Sequence, residues 1–308
     1  MPPLRASRLS SQDAAQGMAF STMKRIGWLI IYGLAHIAVF PEICAANAFD
    51  YMGQSLAKVV YLSTILNLAN YDYNPGNSLF GYYLDEGTEH GLYYEFSRNA
   101  NYLILAAGDD DVSDLDISVM TKDGEEIVSD RDASPGAYVE FRPPYSGQFL
   151  INLKNYDSDG ISFCSYVILK ESGSGDFSLN DLVEALQNAL TIAQVRALIA
   201  TQFPRNRMIL FGGRSQEGQS NSVYDIGLEK GQYVFLGSGS NRIRDVDITI
   251  AEQYRHQSPE GKHVCEDAEN DNTPICEFHA DSGEEYALNL KNYASRGDGF
   301  VFGVLLQD

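Results

Sequence analysis

The sequence predicts a mainly β protein made of two tandem antiparallel β-sandwich domains of jelly-roll or Ig-like type, each preceded by an amphipathic helix. Three observations predict it. First, one strand is written twice: Val112-Ser-Asp-Leu-Asp-Ile-Ser-Val119 recurs as Ile243-Arg-Asp-Val-Asp-Ile-Thr-Ile250 with every apolar position kept apolar. Second, short apolar or alternating segments separated by turn residues follow one another through both halves. Third, each half opens on a stretch whose apolar residues keep a helical period.

The strand fixes the phase of the repeat. Side chains alternate across a strand, so Leu115, Ile117 and Val119 point one way and Asp114, Asp116 and Ser118 the other. Leu79-Phe80-Gly81 matches Leu210-Phe211-Gly212 at a displacement of 131, as do Gly87, Tyr93, Tyr102, Leu105 and Gly108 with Gly218, Tyr224, Tyr233, Leu236 and Gly239. Asn152-Leu-Lys-Asn-Tyr156 then returns unchanged as Asn289-Leu-Lys-Asn-Tyr293 at a displacement of 137, so six residues entered between. A period this long marks tandem domains, since solenoid and propeller repeats run roughly 20–50 residues.

Taken in order, residues 1–48 read as an upstream extension and a signal peptide. Lys24-Arg25 precede an apolar run from Gly27 to Phe40, and Ala46-Asn47-Ala48 supplies small residues for cleavage after Ala48. The run is shorter than the roughly 17–25 residues of a membrane span. Met23 stands directly before Lys24, so translation starts at Met1 or at Met23. The expectation is a bacterial periplasmic or secreted protein, not integral to the membrane after cleavage. From 49 to 171 the chain reads as the first helix and sandwich. Met52, Leu56, Val59, Val60, Leu62, Ile65, Leu66 and Leu68 give the helix its stripe, and Asn74-Pro-Gly-Asn77 stops it. Seven strand candidates follow: Tyr93–Phe96, Tyr102–Ala107, Leu115–Val119, Glu126–Ser129, Ala137–Phe141, Gln148–Leu153 and Ser162–Leu169. Residues 172–176 form a Ser/Gly linker, and 177–308 the second helix, capped by Ser178, and the second sandwich.

Charge narrows the function classes. The formal net charge is −20, which excludes the Lys/Arg stripes that nucleic acid requires. Export removes residues 1–48 and makes the remainder more acidic. It also permits disulfides. Cys44 leaves with the signal, and Cys164 sits in an apolar strand opposite Val301 of the second copy. Cys265 and Cys276, aligned on Ser129 and Val139, are expected to bond across the loop that carries the insertion.

The candidate chemistry is sparse. Asp114 and Asp116 lie two apart on one strand face, with Cα atoms roughly 6.5–7 Å apart. Asp109, Asp110 and Asp111 lie just upstream and add oxygens suited to Ca²⁺. The competing reading is that the strand aspartates accept turn hydrogen bonds or pair with basic residues. Asp245 and Asp247 repeat the pair without the upstream acids and form the weaker set. Tyr82 and Tyr83, in a Tyr-rich stretch, are candidate sugar-facing platforms. No HExxH, GxSxG, Walker or Cys–His signature occurs, so a non-enzyme is expected.

The pattern Tyr102-Leu-Ile-Leu, Gly108, Asp114-Leu-Asp116-Ile, Lys122-Asp-Gly124-Glu, Asp130, Ser146-Gly147-Gln-Phe149-Leu-Ile and Asn155-Tyr156 resembles the bacterial pre-peptidase C-terminal domain. The second copy resembles it through Gly231-Gln-Tyr233, Asp245-Val-Asp247-Ile, Ser282-Gly283 and Asn292-Tyr293. The resemblance implies a secreted accessory β-sandwich that binds substrate or matrix, in some cases with calcium. Here no peptidase domain precedes the two copies. The expected function is an exported, non-catalytic module binding a polysaccharide or protein ligand at the cell envelope, with Ca²⁺ as a candidate cofactor. The alternative is a structural or regulatory subunit that docks a separate secreted peptidase or envelope assembly.

Overall fold

Among the described residues the chain forms two helices and 17 strands in antiparallel sheets, with no closed barrel. The computed structural model describes residues 47–67, 71–172, 178–199, 208–253, 261–281 and 283–307. The expected signal peptide, apart from its last two residues, and all but Ser172 of the expected linker lie outside them. Helix α1 spans Asn47–Asn67 and helix α2 Leu179–Ile199. The first copy carries β1 (Tyr71–Tyr73), β2 (Gly76–Leu84), β3 (Glu89–Phe96), β4 (Tyr102–Gly108) and β5 (Val112–Thr121). It continues with β6 (Glu126–Asp130), β7 (Gly136–Phe141), β8 (Gly147–Ser158) and β9 (Ser162–Glu171). The second carries β10 (Ile209–Ser215), β11 (Ser220–Gly227), β12 (Gly231–Gly239) and β13 (Ile243–Gln253). It ends with β14 (Lys262–Asp267), β15 (Ile275–Ala280), β16 (Glu285–Ser295) and β17 (Gly299–Gln307).

Strand order repeats with the sequence. In the first copy β9, β4 and β7 follow one another with β1 and β2 both on the outer side of β9, and β3-β8-β5-β6 forms the other sheet. The second copy has β10-β17-β12-β15 and β11-β16-β13-β14. Alternation puts Leu115, Ile117, Val119, Phe149, Ile151 and Leu153 inward from one sheet and Ile104, Val139, Tyr166 and Ile168 inward from the other. Each such side chain withdrawn from water contributes about 1.5–3 kcal/mol before chain entropy is charged against it.

The helices cover the other face of the helix-side sheets. Met52, Leu56, Val59 and Val60 of α1 pack on Leu103, Leu105, Phe163, Val167 and Leu169, and α2 does the same on Val234, Leu236, Phe302 and Val304. The cap is where the sequence puts it: the Asp181 amide donates to Ser178 Oγ at 3.3 Å. Helix α1 begins at Asn47, so the cleavage expected after Ala48 falls in its first turn. The Ala48 carbonyl there accepts the hydroxyl of Tyr83.

The two copies meet through β2 and β10, which the strand candidates omitted. These equivalent strands lie alongside each other, joined by the Pro75–Arg214 bridge. A Cβ on Gly213 would stand 2.1 Å from the Gly76 carbonyl oxygen, so only glycine allows the approach. Arg214 holds Asp72 of the first copy at 3.2 Å and Asp298 of its own copy at 3.0 Å. Tyr73 meets Phe300 edge-on at 5.5 Å between centroids. One apolar cluster joins the inter-sheet cores of both copies, and a second joins both helices to the sheets beneath them.

Cys265 and Cys276 are bonded, with Cα atoms 5.9 Å apart. Register corrects two details of the alignment. Ile250 pairs with Cys265 as Val119 pairs with Val128, so Cys265 is the counterpart of Val128 and not of Ser129. Val128 and Val139 then have the same spacing as the two cysteines, which places the insertion in the β13–β14 connection, upstream of the bonded loop. The disulfide ties β14 to β15 and thereby one sheet to the other.

Candidate ligand-binding surface

Most residues that recur between the copies do structural work. Asn155 of β8 and Asn292 of β16 are fully buried. Asn155 Nδ2 donates to Leu84 O at 3.2 Å and Ser158 Oγ at 2.8 Å, and Asn292 Nδ2 to Ser215 O at 3.3 Å and Ser295 Oγ at 3.2 Å. Their backbones also close the turn before β3 and β11, with Gly87 and Gly218 amides donating to Asn155 O and Asn292 O. Asp130 and Asp267 accept the amides of Asp132 and Tyr138, and of Glu269 and Ile275, respectively. The asparagines satisfy buried carbonyls and the aspartates hold exposed loop amides, a structural role in both cases.

The acids upstream of the strand pair belong to the same class. Asp109 is wholly buried, its Oδ2 accepting the Phe163 amide at 2.6 Å and its Oδ1 the Asp111 amide at 3.1 Å. In the second copy Ser240 takes that place, with Oγ accepting the Phe300 amide at 3.4 Å. Asp110 is exposed and paired with Lys58 of α1 at 2.9 Å, and its amide donates to Gln54. Asn241 meets Glu184 of α2 in the same way. The loop is thus a docking point for the helix. The carbonyl of Asp111 accepts the Asp159 amide. Among the described residues no group of three or more His, Cys, Asp or Glu side chains could hold a metal ion. Of the five expected ligands Asp109, Asp110, Asp111, Asp114 and Asp116, Asp109 is engaged by backbone amides and Asp110 by Lys58.

Tyr82 and Tyr83 are corrected outright as surface platforms, being 3% and 6% exposed. Strand β2 is closed on both faces, so Tyr82 turns into the core and stacks on His90 at 3.7 Å. Tyr83 turns toward α1 and packs on Phe163.

Among the side chains left partly or largely exposed, one matching set lies on the outer face of the second sheet in each copy. Along β8 the outward positions are Asn152, Lys154 and Tyr156, and along β16 they are Asn289, Lys291 and Tyr293. Across the ladder Lys154 stands opposite Asp116 and Lys291 opposite Asp247, while Asn152 faces Ser118 and Asn289 faces Thr249. Tyr156 and Tyr293 are 55% and 56% exposed. Their rings sit under Lys154 Nζ at 4.7 Å and Lys291 Nζ at 4.8 Å. Burial pushes the Asp116 and Asp247 carboxyls above their usual range, the neighbouring Asp114 and Asp245 add to the shift, and the facing lysine opposes it. Asp114 Oδ1 and Asp245 Oδ1 are out of water and have no hydrogen-bond partner. Each patch therefore offers an aromatic face, a cation, an amide and the partly exposed carboxylate of Asp116 or Asp247. Alternation placed Asp116 and Asp247 outward, but Tyr156 and Tyr293 went unremarked as surface residues; the unchanged five-residue repeat was the signal that could have marked them.

No helix of the described residues is long and apolar enough to cross a membrane. No family model matches the chain, and no curated protein does. Among solved structures it is similar to the M60 catalytic domain with the CBM51-1 and CBM51-2 domains of Clostridium perfringens ZmpB. That match has 8% identity and a TM-score of 0.24, over 73% of this chain and 34% of that one, so the chain spans about a third of that protein. It is also similar to the CBM22-1-CBM22-2 tandem domain of Paenibacillus barcinonensis Xyn10C, with 7% identity and a TM-score of 0.22 over 70% of this chain and 82% of that one. A cupin 2 conserved barrel domain protein of Leptotrichia buccalis matches with 9% identity and a TM-score of 0.18 over 76% of this chain and 85% of that one.

Proposed function

We propose that the protein is an exported, non-catalytic binding module made of two tandem β-sandwiches, and that it holds a neutral polysaccharide at the cell envelope. The observation that carries this is the pair of matching outward sets: Asp116, Lys154 and Tyr156 in one copy, Asp247, Lys291 and Tyr293 in the other. Substitutions at solvent-facing strand positions usually change stability by no more than about 0.5 kcal/mol, so folding alone does not hold three such residues fixed twice. The Lys–Tyr contact accounts for only about 0.5–1 kcal/mol at an exposed site. Sugars match the offered chemistry: an apolar ring face stacks on tyrosine while hydroxyls hydrogen-bond to the partly exposed Asp116 and Asn152 side chains in one copy and Asp247 and Asn289 in the other. A net charge of −20 repels polyanions, which sets acidic polymers aside.

Native gels containing hydroxyethylcellulose, xylan or mannan test this. At least one polymer is expected to retard the mature protein, and the Tyr156→Ala/Tyr293→Ala double variant is expected to run unretarded with an unchanged melting temperature. Free migration of the wild-type protein through all three gels would falsify the polysaccharide reading.

A further inference from the structure

We infer that the two patches engage successive segments of one polysaccharide chain, so that the ligand is a long polymer and short oligosaccharides bind weakly. This rests on the polysaccharide reading and adds a geometric claim to it. In both copies the layers are stacked alike: helix, helix-side sheet, inter-sheet core, patch-bearing sheet. Both helices share one apolar cluster and both inter-sheet cores share another, so the stack runs in the same sense through the two copies. The two outer faces therefore look away from the helix layer on the same side of the molecule.

The junction fixes their spacing. Gly213 against Gly76, the Arg214 bridge between Asp72 and Asp298, and the Tyr73–Phe300 contact leave no hinge between β2 and β10. Asn77 Nδ2 adds a bond to Ser222 O at 2.7 Å, reaching from the first copy into the patch-bearing sheet of the second. Two equal sites held at a fixed separation turn the second binding step into an intramolecular one. A polymer long enough to span both then gains affinity that an oligomer filling one site does not. Both sites carry the same residues, as the repeating units of a homopolymer require.

Titration calorimetry separates the claims. Cello-, xylo- and manno-hexaose are compared with hydroxyethylcellulose, xylan and mannan. The retained polymer is expected to bind at least about tenfold more tightly per protein molecule than its hexasaccharide, which fills two sites. Tyr156→Ala or Tyr293→Ala alone should leave one hexasaccharide site and erase the polymer's advantage, and the double variant should bind neither. Both rings are more than half exposed, and an unchanged melting temperature shows the variants folded. Equal affinity for polymer and hexasaccharide at two sites overturns the spanning claim and leaves the binding function standing. Tight polymer binding that survives each single substitution in full also overturns it, whereas no binding of any polymer by the wild-type protein removes the function itself.

Discussion

At the residue scale, Asp109, the buried acid of the set that most resembles a metal site in the sequence, is occupied by the backbone. Asp109 does for Phe163 what Ser240 does for Phe300, accepting an amide that would otherwise be buried without a partner. Asp109→Ser should therefore be tolerated within about 1 kcal/mol, while Asp109→Ala leaves that amide unpaired and should cost about 1–3 kcal/mol. Urea denaturation distinguishes them, and equal losses would show that the carboxylate is needed for something other than this bond. Sequence could not separate the readings because a helper acid and a turn acceptor have the same one-letter code; the clue was Ser240 in the second copy. His90 presents the converse. It stacks on Tyr82, its Nε2 has no partner, and burial pulls its pKa down to about 4. The unfolded chain takes up a proton near pH 6.5 and the folded chain only near 4, so the unfolded state carries more protons between them. Stability from this group is present above pH 6.5 and falls as pH drops through that window, by up to about 3 kcal/mol. The difference in unfolding free energy between wild type and His90→Phe, measured at pH 7 and pH 4.5, should shrink toward the acid side if burial of the neutral ring is the cause; a difference independent of pH would exclude it.

At the element scale, alternation and helical period made both helices and strands such as β5, β7 and β8 legible, because each buries one face and leaves the other open, while β4 and β9, buried on both faces, were legible as apolar runs bounded by turn residues. Strand β2, also buried on both faces from Ser78 to Leu84, escaped because Ser78 and Gly81 interrupt its apolar run and Pro75-Gly76 imitated a plain stop. The same closure took Tyr82 and Tyr83 out of solvent. The insertion was misplaced for a different reason. Between two ungapped blocks an alignment leaves the position of extra residues free, and only the β13–β14 register fixes it. That register gives the disulfide its meaning, since Cys265 and Cys276 stand where the first copy has Val128 and Val139. Closing a loop of 11 residues should add about 3 kcal/mol by restricting the unfolded chain. Cys265→Ser/Cys276→Ser is expected to lose that amount in urea titration. Cys265→Val/Cys276→Val, which restores the residues of the first copy, should lose less because the apolar contact between sheets is rebuilt. Identical losses for the two pairs would mean that the cysteines contribute only their bond.

At the scale of the whole molecule, the doubling was visible in the sequence but the seam was not. Repeats separated by a Ser/Gly stretch read as independent beads, whereas β2 and β10 are laid together and both apolar clusters run through the two copies. Contacts of this kind form between segments more than a hundred residues apart, and nothing in local periodicity reports them. Arg214 makes the seam costly to open, because Asp72 is almost fully buried and would lose this opposite charge. Gly213 makes it costly to widen, because any side chain there strikes the Gly76 carbonyl. Calorimetry of the mature wild-type chain should accordingly give one endotherm whose van't Hoff and calorimetric enthalpies agree. Arg214→Leu with Gly213→Val severs the ion pair and forces the strands apart while leaving each copy's own sheets intact. That variant should unfold in two steps, one per copy, with the second copy melting later by virtue of its disulfide. Two endotherms in the wild-type chain would show that the copies fold independently, and a single endotherm in the variant would show that the apolar clusters alone couple them.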